Sequence, residues 1–286
     1  MSASNRKLKS RLRAAFFMGV QERRFDGISM KQRCAARWLG GCAVLVVLLQ
    51  LMACSSLTPS PEQTSPSQTP WVMLSVGSQH APGWKHHVFP GKSASQFRYV
   101  QKDGRAAMAA NSLSSASMLR QVMRVEPSEL ASLRFSWKVP ALITRADMAL
   151  RDADDSPVRI LLMFEGDRGK FSSRNTMLSE LARALTGEEL PYATLMYVWC
   201  NTRAPGSVIV NPRTDRIRTL VVESGVGKLQ QWIDYERDIR ADYETAFGEA
   251  PGALVGIGIM TDSDNTRTST QAWYGPVTLG TAAKGR

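Results

Sequence analysis

The stretch TDSDNTRTSTQAWYG, residues 261–275, sets two carboxylates and an amide among six Ser/Thr hydroxyls, directly ahead of the aromatic pair Trp273 and Tyr274. Asp262, Asp264 and Asn265 offer hard oxygen atoms of the kind calcium takes. An EF-hand read from Asp262 would require glycine at 267 and glutamate at 273, where the chain has Arg267 and Trp273. A calcium site here therefore has to be built from two loops. RDADD, residues 151–155, also lies beside a strand and supplies the second half, so Asp154, Asp155, Asp262 and Asp264 form the candidate metal set. Sugar recognition is the second chemistry on offer. Its candidate set is Trp199, Asp262, Asp264, Asn265, Trp273 and Tyr274, with an indole stacked on a sugar ring and the polar groups on its hydroxyls. The third reading is a plain Asx-type turn with Trp273 buried, because Asp and Asn satisfy their own backbone in turns.

Other chemistries find less support. The three histidines, His80, His86 and His87, sit close together, and no GxSxG elbow is present to pair with them. Neither CxxC nor HExxH occurs, so a zinc site lacks its ligand spacing. SGVGKLQ, residues 224–230, holds a Gly-Lys pair, but Val222 stands where a phosphate loop needs its first glycine and Leu229 where it needs Ser or Thr. Glycoside hydrolysis needs two carboxyl groups flanking the scissile bond. Glu165, Asp167, Glu223, Asp238, Asp262 and Asp264 are available, but nothing in the sequence prefers one pair, and caps, turns and salt bridges to Arg159 or Arg168 account for them better.

The elements that must carry these residues are mostly strands. QFRYVQKDGRAAMAAN has Asp103-Gly104 between two strand-like flanks and predicts a hairpin with a tight turn. SLRFSWKVP alternates, with Leu133, Phe135, Trp137 and Val139 on one face and Arg134, Ser136 and Lys138 on the other. PVRILLMFEG, ATLMYVWCN, IRTLVVESG and LVGIGIMTD follow, and Gly256 and Gly258 leave one face of the last open to a close neighbour. QAWYGPVTL is the final predicted strand. Two segments have helical spacing instead. TMLSELARALTGEEL places Leu178, Leu181, Ala182 and Leu185 on one stripe and ends at Gly187. DIRADYETAFGEAPG places Ile239, Tyr243 and Phe247 four apart between Asp238 as N-cap and Gly248 as C-cap. At least seven strands with two short helices predict a mostly β protein, a two-layer antiparallel β-sandwich with jelly-roll connectivity.

The first part of the chain reads as an address. From Met30 a short basic region with Lys31, Arg33 and Arg37 precedes an apolar stretch from Trp38 to Met52, too short for a comfortable membrane span. It ends in Leu51-Met52-Ala53-Cys54, which resembles the bacterial lipobox, in which the cysteine thiol takes a diacylglycerol and becomes the new N-terminus. Residues 30–53 are thus expected to be a lipoprotein signal peptide, residues 1–29 an overcall of the gene start, and Cys54 the lipid-bearing residue. Ser55 after the cysteine favours the outer membrane, facing the periplasm. The Ser/Thr/Pro-rich stretch 54–70 cannot bury enough apolar surface to order itself and reads as a tether. That leaves residues 71–286 as a single domain.

This division redistributes the charge. Of the net +11, residues 1–53 carry +8, and residues 71–286, with 26 Lys/Arg against 22 Asp/Glu, carry only +4. The basic balance is thus mainly a targeting signal and gives no support to nucleic-acid binding. Cys34 and Cys42 fall in the signal peptide and Cys54 is the lipid site, so Cys200 alone remains in the domain, as a small core residue.

Several segments together resemble the bacterial envelope proteins grouped as domain of unknown function 3047. They are AANSLSSASML (109–119), FSWKV (135–139), DDSPVRILLMFEG (154–166), YVWCN (197–201), ERDIRADYETAFGE (236–249) and IGIMTDSDNTRTSTQAWYG (257–275). The resemblance implies a galactose-binding-like or carbohydrate-module-like sandwich and brings no catalytic residues with it. The expected protein is a lipid-anchored component of the cell envelope with a non-catalytic domain for a glycan or another envelope polymer. A glycan hydrolase or lyase using paired carboxylates is the alternative, and a structural protein meeting a partner through an apolar patch is a third class.

Overall fold

The computed structural model describes residues 69–75 and 83–280. These fall within one compact unit, Thr58–Arg286. His80, the lipobox with Cys54 and nearly all of the expected tether lie outside the described residues.

The alternation seen in the sequence becomes two packed sheets. The first holds seven strands in the order β1 (Lys85–Val88), β4 (Ala116–Val125), β11 (Leu254–Asp262), β6 (Ser156–Phe164), β7 (Ala193–Cys200), β9 (Ile217–Ser224) and β8 (Val208–Val210). The second runs β10 (Trp232–Asp238), β5 (Ser132–Lys138), β12 (Ser269–Tyr274), β3 (Arg105–Leu113) and β2 (Gln96–Lys102), with β13 (Thr278–Leu279) also paired to β5. The ladders are antiparallel except for β7 with β9, which run parallel. The mostly β sandwich is as expected.

Each expected strand is present, and the Asp103-Gly104 turn joins β2 to β3 with both residues at positive φ, 52° and 77°, the geometry of a tight hairpin. QAWYGPVTL is two strands rather than one. The chain breaks at Gly275-Pro276, where the Gly275 N–H bonds to the Ser136 carbonyl and a side chain on Gly275 would overlap the Ser136 hydroxyl. The short or strongly polar strands β1, β8 and β10, and β4 with its mixed face, did not stand out from the pattern.

The core lies between the sheets. Leu133, Phe135 and Trp137 face Val158, Ile160, Leu162 and Phe164, and Tyr197, Trp199, Ile257, Ile259 and Tyr274 fill the same layer. Three helices accompany the sheets. α1 (Pro70–Leu74) is N-capped by Thr69 and buries Trp71, whose ring centroid lies 4.9 Å from that of Trp84. The first residue of α1, Pro70, and its cap Thr69 thus fall within the stretch expected to be tether. α3 (Ile239–Phe247) has the predicted Asp238 N-cap, whose side chain accepts the Ala241 N–H at 3.0 Å, and the predicted Gly248 C-cap.

α2 (Ser173–Thr186) corrects an expectation. It starts at Ser172 and stops at Gly187, but Leu181 and Leu185 are 52% and 62% exposed. The helix docks through Asn175 and Ser179 instead. Asn175 bonds to Asp215 at 2.7 Å and Thr214 at 2.8 Å, and Ser179 accepts from Arg168 at 3.0 Å. Polar anchors at i and i+4 leave Leu181 and Leu185 of the apolar stripe facing outward, with Leu178 and Ala182 half-buried.

Candidate functional site

The two acidic loops do meet. Carboxylate oxygens of Asp155, Asp262 and Asp264 all lie within 4.8 Å of one another. Each of these carboxylates, however, already has donors of its own. Asp155 Oδ1 accepts the Asn265 N–H at 3.1 Å, and its Oδ2 accepts the Thr266 N–H and hydroxyl, each at 2.6 Å. Asp262 accepts Nε and Nη2 of Arg159 at 2.8 and 3.0 Å, and Asp264 pairs with Lys92. Asp154 accepts from the same Nη2 at 3.0 Å and from Asn211 at 3.0 Å. A cation would have to displace these donors and tolerate a buried guanidinium beside it, so the donor set does not fit calcium. Residues 263–268 form a turn between β11 and β12, pinned to 151–155 by Asn265 and Thr266, with Arg267 at φ 55°, while Trp273 lies beyond it on β12 and is partly exposed rather than buried.

Four carboxylates, Asp154, Asp155, Asp262 and Asp264, against three cations, Arg159, Arg213 and Lys92, leave the cluster with a surplus negative charge. Burial raises the Asp262 carboxyl to about 7, against the pull of Arg159, and the neighbouring Asp155 and Asp154 add to the rise.

The aromatic candidates separate. Trp199 is 1% exposed, faces the core and donates its indole N–H to the Gly225 carbonyl at 2.9 Å, so no ligand reaches its ring. Tyr274 is fully buried; its hydroxyl accepts the Arg159 N–H at 3.1 Å and lies 2.9 Å from Thr261 Oγ1, tying β12 to the other sheet. Trp273, one residue earlier on the same strand, faces the opposite way and is partly exposed on the outward face of the six-stranded sheet. Lys102 Nζ sits 4.6 Å from its ring centroid.

Cross-strand register shows what surrounds Trp273. In its own row stand Lys138 and then Trp232 on one side, Ala109 and then Arg98 on the other. Trp232 and Trp273 are both opposite Lys138, two strand spacings or roughly 9–10 Å apart. The next row is Gln271, Asn111 and Gln96. These three amides line a groove of about 540 Å3 together with Ser269 and the exposed Leu113, walled by the 140–142 loop. None of the three side chains has a hydrogen-bond partner among the described residues.

The remaining carboxylates are structural. Glu165 pairs with Arg124 at 2.8 Å, Asp167 and Asp238 cap helices, and Glu223 holds Lys228 at 2.7 Å and Tyr235 at 2.9 Å. A second groove, of about 710 Å3, holds Glu126, Glu165, Glu188 and Glu189, each ion-paired to an arginine. His86 Nε2 lies 2.8 Å from Ser117 Oγ, the spacing of a nucleophile and its base. Yet Ser117 is fully buried and bonded to the Ser95 backbone, so that hydroxyl is a structural one. Cys200 is buried and free, as expected.

Residues 82–278 match the family of proteins of unknown function designated DUF3047. The chain belongs to that family. No curated protein matches it. Among solved structures this DUF3047 chain is similar to the xyloglucanase domain of NopAA, a type three effector from Sinorhizobium fredii, in complex with cellobiose. The likeness has a TM-score of 0.35 at 10% identity, covers 70% of this chain and 93% of that one, and is one of fold alone.

In this DUF3047 chain the register sets Trp273 apart from Asp262, Asp264 and Asn265, with which the sequence groups it. The groups beside it come from β2, β3 and β12 rather than from the acidic turn. Period-two alternation held a signal, since Gln271 and Trp273 share the polar face of QAWY; pairing them with Asn111 and Gln96 required the strand order.

Proposed function

We propose that this protein is a lipid-tethered component of the cell envelope whose sandwich holds a glycan, without cutting it, on the outward face of the six-stranded sheet. The observation that carries this reading is the row Gln271–Asn111–Gln96. Three unpartnered amides, each able to donate and accept, line a groove of about 540 Å3, one cross-strand row from Trp273. Sugar hydroxyls need both donors and acceptors, and the face of an indole suits the apolar C–H side of a pyranose ring. The two-tryptophan row spans about the length of a disaccharide unit of an extended chain.

The same lining supports binding without catalysis. No Asp, Glu, His or Cys lines this groove, whereas glycoside hydrolysis needs two carboxyl groups across the bond. Lys102 over Trp273 is a modest obstacle. A cation–π contact at an exposed site is worth about 0.5–1 kcal/mol, which one new hydrogen bond from the displaced ammonium offsets.

The tether rests on Leu51-Met52-Ala53-Cys54 and on the polar 54–68 stretch that follows. No helix among the described residues is long and apolar enough to cross a membrane. Two measurements test the proposal. Full-length protein in detergent, titrated with a panel of envelope polysaccharides, is expected to bind at least one, with Trp273→Ala weakening it by about tenfold or more; undiminished binding by that variant excludes this face. Clickable fatty acid fed to producing cells is expected to label the native protein and not Cys54→Ser, and equal labelling of both would exclude the anchor.

A further inference from the structure

The platform is charged, and positive groups outnumber the negative ones around it. Around Trp273 stand Arg98, Lys102 and Lys138, all on the outward face. Asp103 is the acidic group they share. Lys138 Nζ lies 2.6 Å from Asp103 Oδ2, and Lys102 Nζ lies 3.9 Å from Asp103 Oδ1. Arg98 is exposed and has no ion-pair or hydrogen-bond partner among the described residues. Arg105, over the Trp232 ring, is already neutralised by Asp234 at 2.7 Å. No carboxylate lines the adjoining groove.

Resting on the glycan-binding reading above, we infer that the ligand is an acidic polysaccharide, one whose sugars carry carboxylate or phosphate groups. A neutral glucan needs the indole and the amides alone. An anionic chain laid along the Trp273 row would bring a negative group within reach of the Arg98 fork, which matches a carboxylate or a phosphate with two parallel hydrogen bonds. Lys102, poised over the ring, would supply a second positive charge as it moves aside. The domain as a whole is only slightly basic, so this local excess is a feature of the face and not of the composition.

The test uses full-length protein in detergent against three polymers: polygalacturonate for the carboxylate source, a phosphorylated mannan for the phosphate source, and hydroxyethylcellulose as the neutral chain. Affinity gel electrophoresis is expected to show at least one acidic polymer retarding the protein about tenfold more strongly than the neutral one in roughly 50 mM salt. That preference should shrink several-fold in roughly 500 mM salt as the charges are screened. Whichever acidic polymer binds identifies the source of the negative group. R98Q and K102Q, with melting temperatures unchanged, are expected to lose the preference.

Equal, salt-independent retardation by the neutral polymer would overturn the inference and leave the glycan-binding reading standing. A preference that survives both substitutions would also overturn it, because the anion would then bind elsewhere. If none of the three polymers binds and W273A behaves as the parent protein does, the glycan-binding reading and this inference fall together.

Discussion

Arg159 grips Asp262 through two parallel hydrogen bonds, Nε to Oδ1 at 2.8 Å and Nη2 to Oδ2 at 3.0 Å, and both residues are at most 3% exposed. The pair joins β6 to the end of β11 where the acidic turn begins. Asp154, accepting from the same Nη2, extends the clamp to the 151–155 loop. The chemistry that the turn seemed to offer a metal is thereby spent within the fold.

Removing the guanidinium takes from the buried Asp262 its charged partner and leaves it the Ser156 N–H, while Asp154 keeps Asn211 and Arg213. Arg159→Met is therefore expected to destabilise the protein by about 3–5 kcal/mol near neutral pH, measured by chemical denaturation. A change below about 1 kcal/mol would mean that water reaches the cluster.

The same cluster sets a pH dependence. Asp262 is raised to about 7 in the folded protein, above the unfolded carboxylate value near 3.9, so the folded state binds the extra proton. Its contribution is most favourable below about pH 4 and declines as pH rises to about 7, after which it is constant. Asp262→Asn is expected to flatten that part of the stability profile, and an unchanged slope between pH 5 and 7 would assign it to other groups. Because the oxygens are engaged, calcium and EDTA are expected to give the same melting temperature. A calcium-dependent rise would restore the metal reading.

How far the sequence could be read depended on the range of the interaction. The hairpin at Asp103-Gly104, the caps of α3 and the alternation of β5 are local, set by residues within a few positions, and they are where the pattern put them. The meeting of RDADD with the 261–275 loop was also anticipated from their shared position beside strands. What the pattern could not show is direction along a third axis. Trp199 and Trp273 both sit on strands rich in aromatics, yet one faces the core and the other solvent, and that follows from which sheet each strand joins. α2 makes the same point, because its leucines have helical spacing but its docking contacts are Asn175 and Ser179, residues with no apolar period to reveal them.

Backbone crowding provides a prediction independent of any ligand. Gly252 lies in the connection before β11, and a Cβ placed there would stand 2.2 Å from the carbonyl oxygen of Glu165. That obstacle is main chain and cannot rotate away, while the Glu165 N–H also bonds to the Ala253 carbonyl at 2.9 Å. Gly252→Ala is expected to cost about 1–3 kcal/mol, read as a lowered denaturation midpoint. Gly91→Ala, at an open turn with no atom within 4 Å of the added Cβ, serves as the contrast and is expected to cost less despite its φ of 71°.

The amide row gives the most direct test of where a glycan lies. Asn111 is the middle member, on β3 between Gln271 of β12 and Gln96 of β2, and its amide has no partner among the described residues. Asn111→Ala therefore removes a group that the fold does not use, and the melting temperature is expected to stay within a degree or two of the parent's. Each hydrogen bond lost to a bound sugar should weaken binding by about 0.5–1.5 kcal/mol. Asn111→Ala and Gln271→Ala are thus each expected to raise the dissociation constant by roughly two- to tenfold, and the double variant by less than the product if one hydroxyl bridges both amides. Isothermal titration of the polymer that binds most tightly supplies the numbers. Full affinity in the double variant would move the site off this row and leave the tryptophan pair as the surface to map next.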